Sequence, residues 1–120
     1  MAIEFGLVAL PVIWFIFGIV QTAWIVWINN MLHISVDVAS RCGAVGSATL
    51  PCTTSAGGTL ANMKSAANLV FGMTGGVSPP TWSANGNCSA SEIGLVGSYR
   101  VNIVSVVNLT LTARSCYAQP

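Results

Sequence analysis

The residues of this 120-residue chain that could do chemistry are four cysteines, one histidine and three carboxylates. Cys42, Cys52, Cys88 and Cys116 can pair as two disulfides or hold a metal. An even number in a short chain favours disulfides, and stable disulfides imply an oxidising compartment. Zinc sites want a C-x-x-C knuckle or several histidines. Here the gaps are 9, 35 and 27 residues, and His33 is the only histidine, so no metal is expected. Catalysis needs a base held close to a nucleophile. His33 is far in sequence from Glu92, oxidised cysteines are not nucleophiles, and the many Ser and Thr residues lack a base. Gly57-Gly58 and Gly75-Gly76 have no phosphate-loop spacing. The chain reads as non-enzymatic, with no cofactor.

Glu4 is the most informative residue. A carboxylate on a lipid-facing helix costs about 2.5–3.5 kcal/mol at the bilayer centre and less near the interface. Such acids persist when a partner compensates them, and the nearest positive charge is an α-amino group, this chain's own or a neighbour's. The plainer alternative is an interfacial acid at a helix N-terminus, favoured by the helix dipole and otherwise idle.

The element that must position Glu4 is conspicuous. Phe5 to Ile28 is a run of 24 residues without a charge. As a helix it would cover about 36 Å, enough to span a bilayer. A cleaved signal peptide fits poorly, because the run is too long, no basic region precedes it, and Glu4 sits at its head. Pro11 lies inside the run and predicts a local break or bend once the helix is packed, with Gly6 adding freedom nearby. Trp14, Phe17, Gln21, Trp24 and Ile28 recur at alternating steps of three and four and form one seam. A conductive aromatic stack is one interpretation; helix–helix packing is the one favoured here. Trp24 and Trp27 could also mark a bilayer interface.

The periodicity continues beyond the apolar run. Ile28, Met31, Leu32, Ser35, Val36, Ala39 and Cys42 predict an amphipathic helix to about Ala44, with Asp37 and Arg41 as an i,i+4 pair. Gly43, Gly46 and Pro51 end it. Leu60 to Phe71 predicts a shorter helix with Leu60, Met63, Ala67 and Val70 on one face. Residues 72–86 predict irregular structure or an edge strand, with a hairpin-type turn at Asn85-Gly86. Alternation over Ser98 to Ser105 and Asn108 to Tyr117 predicts two strands joined by a tight hairpin. Asn87 and Asn108 head glycosylation sequons that are read as chance matches.

The expected architecture is α+β: a long N-terminal hydrophobic helix continuing into a small head with a short helix, a small antiparallel β-sheet and two disulfides. Residues 1–47 form the long helix and residues 48–120 the stapled head. Cys42, ending the helix, is expected to close locally onto Cys52, and Cys116, ending the last strand, onto Cys88. Charged residues are only 6% of the chain, hydrophobic residues 53%, and the net charge is +1. A chain so poor in charge is embedded or polymerised, and it lacks a footprint for nucleic acid.

Residues 1–11 (MAIEFGLVALP) resemble the start of the TadE-like family, type IV pilin relatives of the tight-adherence pilus system. Leu109 to Tyr117 is similar to that family's closing strand. The resemblance implies a basic leader cut by a prepilin peptidase, and a glutamate that guides assembly. In pilins that glutamate is usually the fifth mature residue, whereas here it is Glu4. One mature residue is therefore missing ahead of Met1, or cleavage falls one place later.

The chain is accordingly expected to be a structural pilin that polymerises into a helical filament of its own copies. Other pilins and the inner-membrane assembly machinery would be further partners. Before assembly it would sit in the bacterial inner membrane with its head in the periplasm; afterwards it would be extracellular and serve surface attachment. Glu4, Pro11, Trp14, Phe17 and Trp24 are the expected assembly residues. The rival readings are a minor or initiating pseudopilin, a monomeric single-span membrane protein with a periplasmic binding head, and a filamentous-phage coat protein, which the disulfide-bonded head argues against.

Overall fold

The computed structural model describes residues 2–45, 60–72, 79–103 and 107–119. The order is α1 (Ala2–Val45), α2 (Leu60–Gly72), β1 (Thr81–Ala84), β2 (Glu92–Ile103) and β3 (Val107–Ala118). The strands form one antiparallel sheet in the order β1-β2-β3. This is the expected α+β arrangement. At 1.5 Å per residue α1 alone is about 66 Å long, close to the molecule's longest dimension of 72 Å.

The head is built on the second half of α1. Ile28, Leu32, Ser35, Val36, Ala39, Cys42 and Ala44 are buried, tracing the stripe that the 3.6-residue period predicts. Two small polar residues are tolerated inside it because each hydroxyl donates back along the helix. Ser35 Oγ bonds Met31 O at 2.7 Å, and Ser40 Oγ bonds Val36 O at 2.8 Å. Met63, Ala66, Ala67 and Phe71 of α2 close one flank. A side chain at Gly43 would run into Met63, so the two helices approach closely there. Asp37 does not pair with Arg41 as expected. Its Oδ1 accepts from Ser115 Oγ of β3 at 3.3 Å, so the carboxylate ties α1 to the sheet instead of to the next turn.

In the sheet, Leu95, Gly97, Tyr99 and Val101 of β2 point into the core, as does Ala113 of β3. The alternation expected around Tyr99, Val101 and Ile103 is present, but β2 begins six residues earlier than Ser98. Ile103 pairs with Val107, so β3 begins one residue before the expected Asn108; the connecting residues 104–106, where the tight turn was expected, lie outside the described residues. β1 is the edge strand expected within residues 72–86.

The Asn85-Gly86 turn is real, but it does not make a two-residue hairpin. Ala84 pairs with Leu95, and residues 85–91 form a longer loop. Asn85 organises that loop: its N–H donates to Gly94 O at 3.0 Å, and its Oδ1 accepts from Asn87 N–H at 3.2 Å. Ser89 and Glu92 bond reciprocally, Ser89 N–H to Glu92 Oε2 at 3.0 Å and Glu92 N–H to Ser89 O at 2.9 Å.

Of the two disulfides expected, Cys88–Cys116 is present. It fastens the loop to the end of β3. Cys42 is not a free thiol; the expected Cys42–Cys52 pairing lies outside the described residues, because Cys52 does.

Candidate functional site: an unpartnered helix

From Ile3 to Ile19 the helix has almost no contact with the rest of the described residues. Trp14 and Phe15 are each 73% exposed, and Phe17 is 63% exposed. Apolar side chains cover every face of this stretch, including Leu7, Leu10, Ile13, Ile16, Ile19 and Val20. It is long and apolar enough to cross a membrane, and none of its most apolar window is buried within the chain. The sequence forms a helix because it consists largely of leucine, isoleucine, valine and aromatics whose backbone groups can be satisfied only internally in an apolar solvent. Thr22 adds a bond of the same kind, Oγ1 to Gly18 O at 2.5 Å.

A cylinder about 36 Å long and 10 Å across carries roughly 1,100 Å² of side surface. A soluble monomer rarely exposes more than a few hundred Å² in one apolar patch. At about 25 cal/mol per Å², covering this one is worth up to about 28 kcal/mol. Water is therefore not its solvent. Lipid or other helices must be.

The expected assembly residues are distributed along this rod. Glu4 lies in its first turn, exposed, where a carboxylate complements the helix dipole. Pro11 lies within α1, which runs through it without interruption in the isolated chain. Trp14, Phe17, Gln21 and Trp24 do share one face, and Ile28 extends that face into the head core. The seam is thus the upper continuation of the stripe that carries the head. Trp24 and Trp27 meet edge to face, with ring centroids 5.5 Å apart. Where the seam reaches the head, Gln21, Trp24 and Ile25 face Val101 and Ile103 across an open groove of about 220 Å³. Among the described residues no three His, Cys, Asp or Glu side chains cluster where they could hold a metal.

A second cluster, unmarked by any sequence motif, locks the head. Trp82 of β1 lies directly across Gly97 of β2. Its ring sits against Gly97 and meets Phe71 edge to face at 6.3 Å, and its Nε1 donates to Asn68 Oδ1 at 2.6 Å. Phe71 also contacts Tyr99 at 5.6 Å. The available signal was the pairing of a lone Trp with a glycine in an otherwise apolar stretch, and it is legible only once the register is known.

No curated protein and no solved structure shows a significant match to this chain. A family model does match part of the chain, that of the TadE-like protein. The helix that carries Glu4 and the aromatic seam is the part concerned: residues 1–41 match the family model of the TadE-like protein.

Proposed function

We propose that this chain is a structural pilin-like subunit that polymerises through α1 into an extracellular type IV-like (Tad) pilus serving surface attachment. One observation carries the reading: an all-round apolar rod, headed by an acid, projects unpartnered from a folded head. The membrane would shelter the rod before assembly, with the head in the periplasm. Filament formation would exchange lipid for neighbouring copies of the same helix. A prepilin peptidase and inner-membrane machinery would process and deliver the subunit.

Glu4 would set axial register. Unpaired in an apolar core its carboxylate is costly, whereas facing an α-amino group of a neighbour it gains a directional contact. Desolvation consumes much of that attraction, so the pair contributes position more than stability. Trp14, Phe17 and Trp24 would supply the packing seam, and Pro11 the site at which the packed helix opens or bends.

The test compares Glu4→Gln and Glu4→Leu in cells lacking the native subunit, with sheared filaments measured against the membrane fraction. The expected outcome is membrane-bound, disulfide-bonded subunit with few or no filaments. Wild-type filament yield from Glu4→Leu would sink the pairing idea. Wild-type subunit present only in trace amounts in the filaments would turn the reading to a minor or initiating pilin. Its confinement to the membrane would indicate a single-span protein with a binding head.

A further inference from the structure

We propose that the outward face of the head sheet binds a carboxylated sugar unit of an acidic polysaccharide, with Arg100 taking the carboxylate and a row of hydroxyls taking the ring. The idea extends the pilus reading by naming what an exposed head would grip, and its test does not depend on assembly.

The site arises from register. The helices cover one face of the sheet, where Leu95, Gly97, Tyr99 and Val101 are buried. The alternate residues of β2, among them Ser98 and Arg100, face away from α1 and α2. Pairing then places Thr81, Ser98 and Thr112 in a single row across all three strands. At about 4.8 Å per strand that row presents three hydroxyls over roughly 10 Å. Two of them are already fixed, since Thr81 Oγ1 and Ser98 Oγ lie 2.6 Å apart. In the next row Arg100 stands opposite Thr110. Between the rows and the Pro79-Pro80 segment is a cleft of about 560 Å³, lined by Thr81, Ser98, Arg100 and Thr110, with Tyr99 also at its wall. That volume suits a small ligand.

The charge balance selects the ligand class. Arg100 is exposed, and the chain's three acids are engaged or distant. Glu4 is on the projecting helix, Asp37 meets Ser115 on the far side of the sheet, and Glu92 is held by Ser89 N–H. A free guanidinium fork suits one carboxylate bidentately. Serine and threonine hydroxyls both donate and accept, as sugar hydroxyls require. Nucleic acid fits less well, because it calls for several cations in line and exposed aromatic platforms. On this sheet Trp82 and Tyr99 are each only 9% exposed, so although Tyr99 borders the cleft neither ring is open enough to serve as a stacking platform.

The experiment is calorimetric titration of the full chain in detergent micelles with a galacturonate hexamer, a neutral glucose hexamer and a polyphosphate of matched charge. Binding is expected for the galacturonate, none for the neutral hexamer, and binding weaker by about tenfold or more for the polyphosphate. Arg100→Gln should lower galacturonate affinity by about tenfold, and Arg100→Lys by several-fold because it keeps the charge but loses the fork. Thr81→Val should lower it several-fold, whereas Arg114→Gln, one row beyond the cleft, should change it by less than about twofold. Residues 81, 100 and 114 are all exposed, so the variants should retain the parent melting temperature. No binding of the galacturonate, or equal binding of polyphosphate with equal losses from Arg100→Gln and Arg114→Gln, would overturn the proposal. Confinement of the wild-type subunit to the membrane fraction, with none in sheared filaments, would overturn the assembly reading and leave this one standing.

Discussion

Gly97→Ala tests the packing of the head at its tightest point. A Cβ at residue 97 would lie 2.8 Å from Trp82 Cε3, closer still to Cζ3, and 3.1 Å from Leu32 Cδ1. Carbon atoms in good contact sit about 3.5–4.0 Å apart, so the Trp82 ring must shift by about 0.7 Å or more. It cannot do so freely, because Asn68 holds its Nε1 at 2.6 Å and Phe71 meets its edge. Overpacking costs about 1–3 kcal/mol, and weakening the Asn68 bond adds up to about 1 kcal/mol. The stiffer unfolded chain returns roughly 0.5 kcal/mol. The net expectation is a loss centred on about 2 kcal/mol, within about 0.5–3.5, or roughly 8–16 °C in melting temperature at the centre for a head of this size. The assay is thermal and urea unfolding of the oxidised full chain in mild detergent, monitored by tryptophan fluorescence and near-UV circular dichroism. A cycle with Trp82→Leu separates the clash from any effect of glycine itself. The two changes should couple by about 1 kcal/mol or more, because a smaller residue at 82 leaves room for the methyl group. A Gly97→Ala protein as stable as the parent, or a cycle with no coupling, would refute the reasoning.

A chain beginning near residue 25 should fold as a soluble head, whereas one beginning at residue 48 should show no cooperative melt, since Leu32, Val36 and Ala39 belong to the core. Replacing Cys88 and Cys116 together by serine should cost about 3.5 kcal/mol, the chain-entropy value for a 28-residue separation, measurable as a lower urea midpoint. Pro11→Ala should restore one helical hydrogen bond and raise amide protection around residues 7–11 in assembled filaments, while leaving the head's melting temperature unchanged.

Much of the fold could be read from periodicity. The stripe from Ile28 to Cys42 was legible because burial in a helix repeats every 3.6 residues; the face of α2 was legible in part, with Met63 and Ala67 buried as expected but Ala66 and Phe71 buried in place of Val70. The alternation at Tyr99, Val101 and Ile103 was legible for the corresponding reason in a strand. The first half of β2 was not. Gly94 and Gly97 weaken its strand character, and both are there for their neighbours. A side chain at Gly94 would meet Ser115 O and Cys88 Sγ, and one at Gly97 would meet Trp82. Those contacts are long-range and leave no local trace. The Asn85-Gly86 signal announced a turn, but the reciprocal bonds of Ser89 and Glu92 lengthened the loop beyond what a dipeptide can encode. Asp37 was misread for a related reason: the helix offered Arg41 as a neighbour, and the folded sheet offered Ser115. The apolar rod, by contrast, was legible from composition alone, because its surface is left uncovered among the described residues.

The head has no separate handle by which α1 holds it. The rod that projects and the helix at the centre of the core are one continuous element, and the buried stripe lies parallel to its axis. Tension applied along the rod would therefore act on the head in shear. The layers at Ile28, Leu32, Val36, Ala39 and Cys42 would resist together, whereas a hinge or linker would let them peel apart one at a time. Five or so layers yielding at once make a stiff coupling, so in the filament proposed above tension would stretch the apolar rods first, with the heads travelling as rigid cargo.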